Sequence, residues 1–130
     1  MRILFVDDES MILDGIRRSF FEEEWDMHFV TSGDEALEIL AEVTFDVVVT
    51  DMRMPGMNGM ELLSIVQQRH PDVTRIVLSG CADAKTYHES REVADHWLDK
   101  PCDPELLRSV LVMAYASRLQ EQRSTYNSNE

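Results

Sequence analysis

The chain has 130 residues, the length of one domain, and two independent cores are not expected. Hydrophobic residues make up 44%, enough for a packed core, while 25 Asp and Glu face 12 Lys and Arg for a net charge of −13. That much negative charge repels phosphate backbones and anionic lipid heads, which argues against direct nucleic-acid or membrane-surface binding by this domain.

The chain opens with a short apolar run, Ile3-Leu4-Phe5-Val6, and then meets Asp7, Asp8 and Glu9. The run is too short for a signal peptide, and no segment approaches the roughly 20 apolar residues that span a bilayer, so a cytoplasmic location is expected. Further apolar runs follow at Met27–Val30, Val47–Val49, Arg75–Leu78 and His96–Leu98. Three of the five are rich in β-branched residues and nearly continuous in apolarity, the pattern of strands buried on both faces.

Amphipathic stretches lie between these runs. After Ser10, the residues Met11, Ile12, Ile16 and Phe20 predict one helix face, with Ser10 or Asp8 available as its cap. Ser32 followed by Glu35 reads as a capping box ahead of Ala36, Leu37 and Leu40. The turn Pro55-Gly56-Met57-Asn58-Gly59 precedes a helix carrying Leu62, Leu63 and Val66. A fourth helix, over roughly 84–92, has few apolar residues and is predicted to pack the most weakly. Asp103-Pro104 caps a fifth helix with Leu106, Leu107, Val110, Leu111 and Ala114.

Strand and helix thus alternate five times. With right-handed crossovers this gives an α/β fold, a doubly wound five-stranded parallel sheet with helices on both faces. Such sheets bind ligands beyond the carboxyl ends of their strands. Asp7, Asp8 and Glu9 follow the first strand, Asp51 the third, Ser79 and Gly80 the fourth, and Lys100-Pro101 the fifth. Taken singly, each is as well explained by a helix cap, a turn or a solvated surface. Together they predict one polar rim, and one of only two lysines in the chain (Lys85 and Lys100) stands on it.

Several carboxylates packed together need a countercharge. A hard divalent cation such as Mg2+ supplies it, taking a few carboxylate oxygens plus water and phosphate oxygens. Lys100 can then hold a phosphoryl oxygen as a point charge and Ser79 can hydrogen-bond another. Gly80 leaves room for its backbone N–H. Asp51, central and alone at its strand end, is the natural nucleophile for an aspartyl phosphate.

The motifs Val6-Asp7-Asp8-Glu9, Asp51-Met52-Arg53-Met54-Pro55-Gly56-Met57-Asn58-Gly59, Leu78-Ser79-Gly80 and Leu98-Asp99-Lys100-Pro101 resemble those of a response regulator receiver domain, a CheY-like fold. The resemblance covers residues 1–118 and implies the flavodoxin-like strand order 2-1-3-4-5. It also implies a module of a two-component phosphorelay, not an enzyme in its own right. Asp51 would accept a phosphoryl group from a sensor kinase phosphohistidine or a phosphotransfer protein. Asp8, Asp51 and the Arg53 backbone carbonyl would ligate Mg2+ or Mn2+, with Asp7 acting through water. Lys100, followed by a cis peptide bond to Pro101, would bind the phosphoryl group. Ser79 and Trp97 would form the switch, and Arg53 and Cys81 would tune the phosphoryl lifetime.

Ser79 stands where the family more often has threonine, Trp97 where it has tyrosine or phenylalanine, and Cys102 where phenylalanine is common. With Val93-Ala94-Asp95, these features resemble receivers fused to HD-type (HD-GYP or HDOD) output domains. Cys81 and Cys102 read as reduced thiols. Tyr87, His96, Met113 and Tyr115 are expected on a face formed by the fourth helix, the fifth strand and the fifth helix. That face suits an output surface or a homodimer. Residues 119–130 read as a helical extension and polar tail, either frayed or a linker to an output domain, and the prolonged helix favours the linker. A haloacid-dehalogenase-type phosphohydrolase shares the Asp, Ser, Lys and Mg2+ set, but carries a second acid where this chain has Arg53.

Overall fold

The computed structural model describes residues 1–80, 88–89 and 91–128, with side chains of the C-terminal helix described to residue 122. Cys81, Tyr87 and most of the expected fourth helix lie outside these residues. The elements in chain order are β1 (Arg2–Val6), α1 (Ser10–Ser19), β2 (Asp26–Val30), α2 (Gly33–Glu42), β3 (Val47–Asp51), α3 (Gly59–Arg69), β4 (Thr74–Ser79), β5 (His96–Asp99) and a C-terminal helix (Pro104–Ser128). All neighbouring strand pairs are parallel, in the order β2-β1-β3-β4-β5.

The period-two alternation of strand side chains divides the core in two. Leu4, Val6, Val48 and Val77 point to one side and pack with Ala36 and Leu40 of α2 and with Leu62, Leu63 and Val66 of α3. Ile3, Phe5, Val47, Val49, Ile76 and Leu78 point to the other, against Leu13 and Phe20 and against Leu107 and Leu111 of the C-terminal helix. The three inner strands, β1, β3 and β4, are buried almost throughout, whereas the outer β2 and β5 are half-buried. This is why the inner runs are continuously apolar.

Two helix faces differ from expectation. Met11 is 82% exposed, and Leu13 takes the buried position on α1. The inward stripe runs Leu13, Ile16, Phe20, and Met11 lies about 200° around the helix from Leu13. Leu106 is likewise 51% exposed, because the buried stripe runs Leu107, Leu111, Ala114.

The caps also differ. The α1 N-cap is Glu9, without a side-chain cap bond; neither Ser10 nor Asp8 serves. Ser32 Oγ does accept the Glu35 N–H at 3.1 Å, but the Glu35 carboxylate takes the Thr31 hydroxyl instead of closing the box. A complete capping box stands at α3, between Asn58 and Glu61. Asp103 caps the C-terminal helix as expected, accepting the Glu105 N–H at 2.9 Å. Gly56 sits at φ 74°, the left-handed region its turn requires.

Asp46, just before β3, joins the two ends of the fold. Its Oδ2 accepts the backbone N–H of Arg2 at 2.7 Å, and its Oδ1 accepts Arg118 Nη1 of the C-terminal helix at 2.6 Å. Among the described residues, no helix is long and apolar enough to cross a membrane.

Candidate functional site

The site is built from strand ends. Asp7 leaves β1, Asp51 is the last residue of β3, Ser79 the last of β4, and Lys100 follows β5. The parallel ladder sets these ends side by side, and the Lys100 N–H donates to the Ser79 carbonyl at 2.8 Å. The following Lys100–Pro101 bond is cis, as the family resemblance implied.

Asp7 and Asp51 are buried at 3% and 8% exposure, while Asp8 is exposed. One carboxylate oxygen from each of Asp7, Asp8 and Asp51 lies within 4.8 Å of the others. Lys100 Nζ bridges the two buried acids, at 2.8 Å from Asp7 Oδ2 and 3.2 Å from Asp51 Oδ1. The second Asp7 oxygen accepts the Glu9 N–H at 2.9 Å, which fixes its carboxylate plane.

Burial pushes the Asp51 carboxyl above its ordinary pKa. The Asp7 charge adds to that, against the pull of Lys100. Burial works against the Lys100 ammonium, but its hydrogen bond to Asp7 and the two carboxylate charges outweigh it and hold its pKa above the usual lysine value. One ammonium therefore serves two buried carboxylates while the exposed Asp8 lies beside them, and the cluster keeps surplus negative charge.

Ser79 Oγ is buried and has no hydrogen-bond partner among the described residues. A buried hydroxyl is normally satisfied, so this one has capacity for a further acceptor at the same sheet edge. An all-oxygen donor set with surplus negative charge and a free hydroxyl beside it fits a hard divalent cation together with a phosphoryl group.

Gly80 is exposed, and a Cβ there would meet Lys100 only at ordinary contact distance, 3.8 Å, so packing does not demand glycine at this position. Trp97 is half-buried and packs on the α2–α3 side of the core. Arg53 is exposed two residues past Asp51, and Cys81 lies outside the described residues. His96 and Met113 are exposed as expected, whereas Tyr115 is half-buried.

Two features of the site were not read from the motifs. Gly59 lies so close to the Asp51 carbonyl that a Cβ would collide with that backbone oxygen; its own N–H donates to Met52 O at 2.8 Å. A groove of 480 Å³ also runs between α1 and the C-terminal helix, lined by Met11, Ile12, Ile16, Pro101, Cys102 and Leu107, and it reaches Lys100. Burial pushes the Cys102 thiol in this groove above the ordinary cysteine pKa, with help from Asp103.

An open parallel sheet in this order, with acids and one lysine at its carboxyl edge, defines the class of fold and site. The description of the response regulator receiver domain matches residues 3–112, and the chain belongs to that family. It is 41% identical over 83 residues to the hydrogenase transcriptional regulatory protein HoxA of Cupriavidus necator, covering 64% of this chain and 17% of that protein. It is 33% identical over 123 residues to the DNA-binding transcriptional regulator NtrC of Escherichia coli strain K12, covering 94% of this chain and 26% of that protein. The chain therefore spans about a quarter or less of these two relatives. The crystal structure of the receiver of an HD domain-containing protein from Pseudomonas fluorescens Pf-5 superposes with a TM-score of 0.89 at 29% identity, covering 94% of this chain and 91% of that one. As a receiver, the chain is a two-component signalling module and not a classical enzyme; receivers partner histidine kinases.

Proposed function

We propose that Asp51 accepts a phosphoryl group from a sensor kinase phosphohistidine or a phosphotransfer protein, and that the new charge switches a partner or output surface. The observation that carries this reading is the bridge from Lys100 Nζ to both Asp7 and Asp51, beside a Ser79 hydroxyl with no partner among the described residues. An Asp51 oxygen attacks phosphorus, the P–N bond breaks, and the imidazole leaves with its electron pair. Asp51 presents the nucleophile, Lys100 neutralises a phosphoryl oxygen, and Ser79 donates its hydroxyl to another.

Asp8, Asp51 and the Arg53 backbone carbonyl would hold Mg2+ or Mn2+, with Asp7 assisting through water. When bound, the cation neutralises charge developing on the phosphoryl oxygens. Trp97 follows Ser79 toward the site, and Gly80 presents its N–H. Arg53 and Cys81 tune the access of hydrolytic water.

The apolar groove beside Lys100 gives the phosphodonor a surface within reach of Asp51. Residues 1–118 form the receiver proper, and its last helix runs on past them to Ser128. The face around His96 and Met113 serves output or homodimer contacts. The domain works in the cytoplasm and makes no direct nucleic-acid or membrane contact, in keeping with its charge of −13.

The test is incubation with acetyl phosphate or a competent kinase and Mg2+, read by intact mass. One phosphoryl mass on the wild type and none on Asp51→Asn is expected. A wild-type chain that gains no mass overturns the reading, and sustained phosphate release over many turnovers favours a phosphohydrolase instead.

A further inference from the structure

Among the described residues, the buried polar positions are Asp7, Thr50, Asp51, Ser79 and Arg75. Four lie at the carboxyl edge of the sheet. Arg75 does not: it sits near the start of β4, at the far end from the site, and is 8% exposed. Burying a guanidinium is costly unless its donors are met.

Here Nε and Nη1 are met by the chain segments that flank β4 and lead into β5, and Nη2 faces a carboxylate. Nε donates to Val93 O at 2.8 Å, and Nη1 donates to Val73 O at 3.1 Å and Pro71 O at 3.5 Å. Nη2 stands 3.7 Å from Asp95 Oδ1. The backbone completes the pair: the Arg75 N–H donates to Asp95 Oδ2 at 2.8 Å, and the Asp95 N–H donates to Arg75 O at 2.7 Å. From α3, Gln67 Nε2 holds Glu92 O at 3.0 Å.

This clamp stands at the entrance to a short edge strand. β5 has four residues, lies at the sheet edge and pairs with β4 alone, from Ile76↔His96 to Ser79↔Asp99. Lys100 is the next residue. A slip of one residue would move it about 3.3 Å along the sheet and turn its side chain to the other face. Neither the 2.8 Å contact to Asp7 nor the 3.2 Å contact to Asp51 would survive.

We propose that Arg75 and Asp95 are positioning residues for the phosphoryl site, fixing the register of β5 on β4 and thereby placing Lys100 against Asp51. The proposal rests on the reading of Asp51 as phosphoacceptor. Arginine is suited to the task because its planar fork makes several directed bonds that an ammonium cannot reproduce.

The test compares the full chain with Asp95→Ala, Asp95→Asn and Arg75→Lys. Mg2+ affinity is measured by calorimetry, the phosphorylation rate by acetyl phosphate at saturating Mg2+, and amide hydrogen exchange at Lys100. The carboxylates that would bind Mg2+ are not on β5, and displacing the Lys100 ammonium takes a competing positive charge away from them, so Mg2+ affinity is expected to hold or rise, not fall. The rate is expected to fall tenfold or more, toward about a hundredfold, in Asp95→Ala and Arg75→Lys, the scale of a misplaced catalytic contact. The Lys100 amide is expected to exchange faster. Asp95→Asn keeps an oxygen for the Arg75 N–H and is expected to retain most of the rate. A wild-type rate in both Asp95→Ala and Arg75→Lys overturns the proposal, as does a rate loss matched by an equal loss of Mg2+ affinity. If the wild type itself takes no phosphoryl group, the phosphoacceptor reading fails. Unchanged Lys100 exchange in Asp95→Ala then separately overturns the clamp.

Discussion

Replacing Asp51 with Asn removes one charge from the site and keeps its shape. At an effective dielectric of about 20, the 3.2 Å contact to Lys100 is worth roughly 5 kcal/mol, and a like charge within 4.8 Å costs at least roughly 3.5 kcal/mol. The two nearly offset each other, so the desolvation of a carboxylate, several kcal/mol in a real protein, decides the sign. The raised pKa of Asp51, caused first by burial, points the same way. Without divalent cation, Asp51→Asn is therefore expected to be more stable than wild type by about 1–2 kcal/mol, or about 3–8 °C in Tm. Saturating Mg2+ reverses the order. At a hundred times Kd a cation adds about 2.7 kcal/mol to the wild type, and the variant, lacking the Asp51 negative charge, is expected to forgo most of it. Urea titrations and thermal melts in EDTA and in Mg2+ measure both arms. A variant less stable than wild type in EDTA, or equal Mg2+ stabilisation of both proteins, refutes the reasoning.

Two further outcomes follow from the same geometry. Gly59→Ala drives a Cβ into the Asp51 backbone, which has no flexible end to yield, and is expected to cost about 1–3 kcal/mol and weaken Mg2+ binding; denaturant midpoints and calorimetry check it, and a silent substitution would disprove the contact. The Lys100 pKa is raised on folding, so its stabilising contribution is complete below the ordinary lysine pKa and disappears as pH rises through the folded value. In alkaline denaturation series, wild type should lose stability over that window relative to Lys100→Gln, and parallel curves would contradict the assigned charge balance.

The inner strands were legible because burial on both faces forces continuous apolar runs, and the acids were legible because a parallel sheet collects its strand ends. Helix facing was less so. Met11 and Leu13 are equally apolar, and only the tertiary contacts of α1 decide which one turns inward. The role of Gly59 was hidden because the sequence around it reads equally well as a plain turn, while the carbonyl it accommodates lies on another element. Arg75 read as one residue of a strand, since its partners at Val93 and Asp95 come from a distant stretch of chain that no local pattern connects to it. The full capping box at Asn58 and Glu61 was masked by the preceding Pro-Gly turn, and the Ser32 pattern that did match was only half made.

Asp46 fastens the first strand and the last helix to one carboxylate. Residue 2 and residue 118 are thus near neighbours in space, although almost the whole domain separates them along the chain. A short flexible bridge between these two points would close the backbone into a ring at little conformational cost. New ends could then be opened at the exposed Pro55–Gly56 turn or in the Glu22–Glu24 loop, and the sheet and its acidic edge would assemble from a permuted chain.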